Sequence, residues 1–116
     1  MCIRDRACTS KSLESVQLDI SDEHAATVVV AAGGYPGSYA KGTPMTLSAT
    51  SKGVQLFHAG TSIKDGQLRT SGGRVIASTA TGSSLKEAVA KTYEGVKSIE
   101  FEGMQYRKDI AARALR

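Results

Sequence analysis

Aromatic residues are scarce in this sequence, which limits how its core can be built. The 116 residues include no tryptophan, two phenylalanines and four tyrosines. The interior must therefore be packed mainly with valine, leucine, isoleucine and alanine. A chain of this length corresponds to one domain and buries roughly 65% of its unfolded surface, which is enough for a single core without disulfides or metals.

Cysteine is also scarce, and long apolar runs are absent. Cys2 and Cys8 form no Cys-x-x-Cys pair, and no histidine lies at ligand spacing from them. The sequence therefore argues against a zinc site and a disulfide framework, and it predicts a reducing, cytoplasmic compartment. No window approaches the ~18 apolar residues of a membrane span, and the N-terminus lacks the apolar stretch of a secretory signal.

The net charge of +4 is mild but unevenly distributed. Residues 1–58 carry five Lys/Arg and five Asp/Glu, whereas residues 59–116 carry ten and six. A basic tail of this kind contacts nucleic acid or an anionic membrane in some proteins and is a solvated helix face in most. Because no aromatic residues alternate with the basic ones, we favour the solvated face and expect neither a nucleic-acid nor a membrane partner.

The first twenty residues carry weak structural signals. Residues 1–6 fit no pattern in the rest of the chain, and we interpret them as a foreign leader outside the fold. The short polar stretch Ala7–Leu13 is typical of the end of a helix. A weak alternation over Ser15–Ile20 predicts an edge strand.

Two glycine turns are the strongest candidates for a functional centre. The first follows the apolar run Val28–Ala32, which predicts a buried strand because β-branched side chains fit a pleated surface. That run ends in Gly33–Gly37, a rigid loop with few side chains in the way of a ligand. The second turn, Ser71–Arg74, adds a cation whose planar fork suits phosphate oxygens. Such turns are more often plain turns than ligand sites.

The remaining pattern predicts an α+β fold. Asp65-Gly66 lies between alternating segments and indicates a hairpin over Ser62–Thr70. The order of elements implies a mainly antiparallel β sheet or a barrel-like arrangement. Further strands are predicted at Met45–Leu47, Val54–Ala59 and Arg74–Ala80, and an irregular segment is predicted at 101–106.

Two helices are expected in the second half of the chain. Ser84 and Glu87 read as a capping box, in which each side chain accepts from a free backbone N–H. Apolar residues at helical spacing follow it, which predicts one amphipathic helix over about residues 85–98 with one face on the sheet. A short C-terminal helix is predicted over Lys108–Leu115.

The residues by themselves assemble no catalytic machinery. The sequence has no Gly-x-Ser-x-Gly motif, no Cys/His pair with an orienting acid and no His/Asp/Glu metal cluster. His58 lies in a predicted strand, where it is either a half-buried histidine bonded to a neighbouring carbonyl or a residue facing a substrate. A stand-alone anion-binding or interaction module therefore remains open.

Several separate motifs nevertheless resemble one family in order and spacing. They resemble the C-terminal part of phosphoribosylamine–glycine ligase (glycinamide ribonucleotide synthetase) over about residues 7–116. Several motifs in register are far more specific than one glycine loop. The motifs are Val29–Gly37, Phe57–Thr61, Asp65–Gly66, Thr70–Val75, Ser78–Gly82 and Phe101–Ile110.

The resemblance implies a fragment of an ATP-grasp ligase of de novo purine synthesis. Members of the family use ATP and Mg²⁺ to activate the glycine carboxylate as an acyl phosphate, which the amine of 5-phosphoribosylamine attacks. Their ATP-grasp core precedes the portion matched here. The resemblance thus implies that residues 7–20 end a linker from that core and that residues 21–116 form the C-terminal domain. It also implies a chain that is inactive alone and holds no cofactor of its own.

The resemblance also implies partners and substrate contacts. The expected partners are the missing core of the same polypeptide, glycine and 5-phosphoribosylamine. In related ATP-grasp enzymes a loop of the last domain helps to hold the substrate phosphate, so we expect the second turn to contact it and the first to border the same cleft. No catalytic or metal role is assigned. A severed domain is expected to expose an apolar patch where the core packs. The substrate-binding residues are predicted to be Gly33, Gly34, Tyr35, Gly37, Gly72, Gly73 and Arg74.

Overall fold

The computed structural model describes residues 2–116 and contains eight strands and two α-helices in that range. A 3-10 turn also spans Leu13–Ser15. The α-helices are α1 (Ile3–Thr9) and α2 (Leu85–Val96). The strands are β1 (His24–Ala32), β2 (Met45–Leu47), β3 (Val54–His58), β4 (Thr61–Lys64), β5 (Gln67–Thr70), β6 (Arg74–Gly82), β7 (Ile99–Phe101) and β8 (Met104–Gln105).

Four strands form the central sheet, in the order β3-β6-β1-β8. Its neighbours are all antiparallel, as are the two-stranded pairs β2–β7 and β4–β5. Along β1 and β6, Val30 faces Ile76, and the register then shifts so that Ala31 faces Arg74. The α+β prediction with mainly antiparallel pairing is confirmed, and the described strands close no barrel.

Helix α2 covers one face of this sheet. Alternate residues of β1 point towards it, and Val28 and Val30 are completely buried. The Ser78 hydroxyl donates to the Thr92 carbonyl (2.9 Å), and the Thr92 hydroxyl lies 3.0 Å from the Ala26 carbonyl. Gly95 allows this approach, because a Cβ there would overlap the Ser78 side chain. The opposite face of the sheet is left open.

The start of α2 differs from the predicted capping box in one bond. The Ser84 hydroxyl accepts from the Glu87 N–H (3.2 Å), as expected for an N-cap. The Glu87 carboxylate, however, accepts from the N–H and hydroxyl of Ser83 (2.9 and 2.7 Å), one residue earlier than predicted. The helix ends at Val96 rather than Ser98. Neither described helix is long and apolar enough to cross a membrane.

Several predicted bounds shift where strands find partners. β1 begins at His24, because its first residues pair with the end of β6. The segment 101–106, predicted to be irregular, instead contains the last residue of β7 and all of β8, which pair with β2 and β1. The tight turn at Asp65 and Gly66 is confirmed, with φ of 53° and 73°.

Predictions at the two ends of the chain were wrong. Ser15–Ile20 forms no strand, because nothing pairs with it and Ile20 is 80% exposed. The N-terminal helix spans Ile3–Thr9 instead of Ala7–Leu13. Residues 108–115 form turns rather than a helix, since Ala111 has a φ of 63°, a left-handed conformation that a right-handed helix cannot contain.

Candidate functional site

The two glycine turns come together at one end of the central sheet. The Ala32 N–H donates to the Gly73 carbonyl (2.8 Å), which ties the start of the first turn to the second. The Tyr35 ring then lies directly on Gly73, where a Cβ would overlap ring carbon Cδ2. Glycine at position 73 is therefore what allows the tyrosine to pack there. The tertiary structure thus brings together Tyr35 and Gly73, which are 38 residues apart in sequence.

The first turn has a defined internal geometry. Gly34 has a φ of 91°, and a Cβ on it would overlap the Ser38 carbonyl oxygen, so the turn requires glycine here. The Tyr35–Pro36 peptide bond is cis. The Gln105 side-chain amide donates to the Tyr35 carbonyl (2.9 Å), and this bond links the turn to β8.

A further glycine, Gly60, supports the second turn, although the sequence did not predict it as part of the site. Gly60 follows β3, and a Cβ there would lie 2.6 Å from the Gly72 Cα. Its carbonyl accepts from the Ser71 N–H (2.7 Å), and its N–H donates to the Arg74 carbonyl (2.9 Å). The sequence signal for Gly60 was its position in the motif Phe57–Thr61, directly after a predicted strand. Its role depends on contact with a turn twelve residues later.

Arg74 is the cation of the site. It is exposed, and it faces Ala31 across the strand pair, which places it on the open face of the sheet. Within the described residues, no ion pair or side-chain hydrogen bond engages its guanidinium. Arg74 thus retains all its donors for a ligand.

Two surface depressions meet at Tyr35 and Arg74. One, of about 650 Å³, lies between β1, β6 and the Gly60 turn, and half of its lining residues are glycine or alanine. The other, of about 450 Å³, extends towards β8 and also contains Gln105 and Arg107. Backbone and small side chains leave room for a ligand next to the Arg74 guanidinium.

The second arginine in this area, Arg107, is already paired with a carboxylate. The Arg107 Nε and Nη2 donate to the Asp109 carboxylate (2.8 and 2.6 Å). These hydrogen bonds lower the pKa of Asp109 and raise the pKa of Arg107. The Tyr93 hydroxyl holds the same segment by donating to the Arg107 carbonyl (2.8 Å). Arg74 is therefore the better candidate for an incoming anion.

Part of the open sheet face beside the site is apolar. Val29 is 42% exposed and Phe57 is 52% exposed, with Ala77 between them in the strand register. A hydrogen bond between the Thr27 and Thr79 hydroxyls (2.9 Å) continues the same face. An exposed apolar patch is what we expect of a severed domain, and the packing of another region on this face stays a prediction.

Not every predicted site residue reaches Arg74. Gly33 faces the β7–β8 turn, where a Cβ would lie 2.7 Å from the Gly103 carbonyl oxygen, and it borders a separate depression of about 300 Å³. Gly34 and Gly37 shape the first turn. Tyr35, Gly73 and Arg74 are the predicted residues that the structure gathers around one opening.

His58 is not half-buried. It is exposed at the end of β3, with Nδ1 3.0 Å from the Thr61 hydroxyl. The interpretation as a half-buried histidine was wrong, and a role facing a substrate stays a prediction. Among residues 2–116, no group of three or more His, Cys, Asp or Glu side chains is arranged to hold a metal ion.

Comparison with known proteins now gives the family. Residues 25–113 match the model of the phosphoribosylglycinamide synthetase C domain. The chain belongs to this family. The resemblance predicted from sequence motifs is thereby confirmed.

Relatives of known name agree with this assignment. The chain is 50% identical to the bifunctional purine biosynthetic protein ADE1 of Schizosaccharomyces pombe, matching 94% of this chain and 14% of that protein. It is 47% identical to phosphoribosylamine–glycine ligase of Synechocystis, matching 94% of this chain and 27% of the ligase. The crystal structure of phosphoribosylamine–glycine ligase from Thermotoga maritima is similar with a TM-score of 0.76 and 35% identity, over 94% of this chain and 28% of that one.

The family assignment also sets the scale of the chain. It spans between 14% and 28% of the length of these relatives, which therefore contain large regions with no counterpart here.

Proposed function

We propose that this chain acts as the C-terminal domain of a phosphoribosylamine–glycine ligase, in which it closes the substrate cleft. The reaction joins the glycine carboxylate to the amine of 5-phosphoribosylamine, and ATP hydrolysis supplies the driving force. ATP transfers its γ-phosphoryl group to glycine, and the amine then displaces phosphate from the acyl phosphate. The family match over residues 25–113 and the 47% identity to the Synechocystis ligase support this proposal.

ATP and Mg²⁺ belong to the part of the ligase that precedes this domain. The described residues contain no carboxylate cluster suited to a metal, and oxygen-rich clusters are what Mg²⁺ uses with nucleotide phosphates. We therefore expect the chain alone to be inactive.

The role we assign to Arg74 is to hold the phosphate of the phosphoribosyl substrate. The observation that carries this role is an exposed guanidinium without a partner, beside an opening in which half of the lining residues are glycine or alanine. A guanidinium binds two phosphate oxygens at once, and a glycine-lined wall lets the anion approach closely. Tyr35, packed on Gly73, forms the adjoining wall.

The test replaces the matched C-terminal segment of the Synechocystis ligase by this chain. Arg74→Ala is then introduced into the resulting chimera. Loss of a charge-assisted hydrogen bond of about 1.5–3 kcal/mol predicts a KM for 5-phosphoribosylamine that rises about 10- to 150-fold. The KM values for ATP and glycine should stay within about twofold, since uniform binding of those substrates is untouched. Lys64→Ala, which removes an exposed cation of the β4–β5 hairpin, is the matched control. Equal changes in all three KM values would contradict the phosphate role.

The isolated chain distinguishes this proposal from a stand-alone anion-binding module. Titration calorimetry with glycinamide ribonucleotide should show weak binding at most, because only one wall of the cleft is present. Tight binding by the chain alone would favour the stand-alone module. ATP turnover by the purified chain would contradict its expected inactivity.

A further inference from the structure

The loop between β1 and β2 (residues 33–44) carries the first glycine turn and has few attachments. Its C-terminal end is attached where the Gly42 N–H donates to the Thr70 carbonyl (2.6 Å). In the part of the chain that the structure describes, residues 38–41 form no hydrogen bond. The position of this middle part therefore depends on how Tyr35 is held.

Two contacts with distant parts of the chain hold Tyr35 in place. Its ring lies on Gly73, where a Cβ would overlap ring carbon Cδ2. Its backbone carbonyl accepts from the Gln105 side-chain amide (2.9 Å). Its N–H donates to the Ala32 carbonyl (3.1 Å), a bond that is local to the turn. Within residues 2–116, Gln105 thus gives the first turn its only side-chain hydrogen bond.

The central sheet places Gln105 next to the candidate site. Gln105 of β8 faces Ala31 of β1 in the strand register. Arg74 of β6 faces the same Ala31 from the other side. Gln105 and Arg74 therefore lie on either side of one β1 residue, and both line the depression of about 450 Å³.

Tyr35 borders both depressions that reach Arg74, of about 650 and 450 Å³. A shift of Tyr35 would therefore change the shape of both openings beside the guanidinium. Groups that form a binding site must be held within about 0.5 Å of the productive geometry by the residues around them. A bond that holds Tyr35 consequently affects how well a ligand fits at Arg74.

We propose that Gln105 is a positioning residue for the ligand site. By donating to the Tyr35 carbonyl, it holds the tyrosine against Gly73 and keeps the opening at Arg74 in a shape that fits a sugar phosphate. Gln105 acts through Tyr35 and is not itself a ligand of the phosphate. Its effect on substrate binding rests on the proposed function, whereas its hold on Tyr35 does not.

Amide hydrogen exchange measured by NMR tests the hold on Tyr35 in the chain itself. Gln105→Met keeps a long side chain that cannot donate. Loss of one neutral hydrogen bond should make the Tyr35 amide exchange about 2- to 12-fold faster, while the amides of α2 stay unchanged. Gln67→Met is the matched control, because Gln67 also donates to a backbone carbonyl (Met45, 3.3 Å) but lies on the β4–β5 hairpin, outside both depressions. Unchanged exchange at Tyr35 in Gln105→Met would overturn the proposal.

Kinetics of the chimera with the Synechocystis ligase test the consequence for the substrate. Gln105→Met should raise the KM for 5-phosphoribosylamine about 2- to 12-fold and leave kcat and the other two KM values within about twofold, since only the binding of one substrate is weakened. A KM that rises in Arg74→Ala but not in Gln105→Met would overturn the proposal, as would a fall in kcat alone. If Arg74→Ala leaves the KM unchanged, the phosphate role fails, and exchange at Tyr35 by itself decides whether Gln105 positions the turn.

Discussion

Replacing Gly73 by alanine tests how the two glycine turns are coupled. The new Cβ would overlap the Tyr35 ring, so the ring must leave its place on the second turn. Gly73 has no left-handed φ, and an alanine is therefore free of backbone strain there. The whole effect should come from steric overlap with one named side chain.

The size of the effect follows from overpacking. Overpacking typically lowers the free energy of unfolding by about 1–3 kcal/mol, and we apply this range to the half-buried Tyr35 ring. With an unfolding entropy of about 2.1 cal/mol/K per residue, a 116-residue domain loses roughly 4–12 °C in Tm for that change. Thermal unfolding followed by circular dichroism measures it directly.

A double-mutant cycle identifies the cause. Gly73→Ala should cost much less in a Tyr35→Ala background, because the ring that it displaces is absent, and contacting residues typically couple by about 0.5–3 kcal/mol. Gly37→Ala is the matched control, since its Cβ would lie 3.1 Å from the Gly34 carbonyl oxygen and meet no side chain. A Gly73→Ala cost that is the same in both backgrounds would refute the packing of Tyr35 on Gly73.

Two further predictions concern α2. Thr92→Val keeps the shape but removes a buried hydroxyl that lies within hydrogen-bonding distance of the Ala26 carbonyl (3.0 Å) and of the Ala88 carbonyl (2.8 Å). It should lower the free energy of unfolding by about 1–3 kcal/mol in urea titrations, while Thr92→Ser should restore most of it. Hydrogen bonds from Lys91 and Ser83 lower the pKa of Glu87 to about 2. Since the folded pKa lies below the ordinary glutamate value of 4.5, the stability from this carboxylate is present above about pH 4.5 and is lost as pH falls towards 2. Glu87→Gln should weaken the pH dependence of the urea midpoint between pH 2 and 4.5. An unchanged pH dependence in this range would contradict the assignment.

In the proposed reaction, this domain supplies only one wall of the substrate cleft. Arg74 offers charge and the glycine turns offer space, but the open face with Val29 and Phe57 lacks a second wall. A cleft that closes between two regions excludes water and positions the reacting groups, and neither region does so alone. This explains why a folded domain with an exposed cation is expected to be inactive in isolation.

Local signals identified the elements with internal geometric requirements. Asp65-Gly66 determined its turn because only a few residues adopt two successive left-handed conformations easily. Ser84 determined the start of α2 because its hydroxyl accepts a hydrogen bond from the Glu87 N–H in the first turn of the same helix. The motif pattern also identified the family, since several motifs in register depend only on the order of residues.

Other features depended on contacts that are distant in the chain. Ser15–Ile20 alternates like a strand, but a strand forms only where a partner supplies its backbone hydrogen bonds, and none lies beside it. Residues 108–115 have a helical composition, yet the segment follows a course fixed by Tyr93, whose hydroxyl bonds both Arg107 and Ile110. The position of a segment against the rest of the molecule decided both outcomes.

The sequence by itself therefore determined the α+β class, the hairpin, the main helix, the family and the two glycine turns. Only the tertiary structure decided that Tyr35 packs on Gly73, that Gly60 supports the second turn and that Arg74 projects from an open face. The physical reason is that the residue types of a turn determine which φ angles the turn can adopt. The neighbour that fills the space above a glycine is set by the strand order β3-β6-β1-β8, which no local pattern contains.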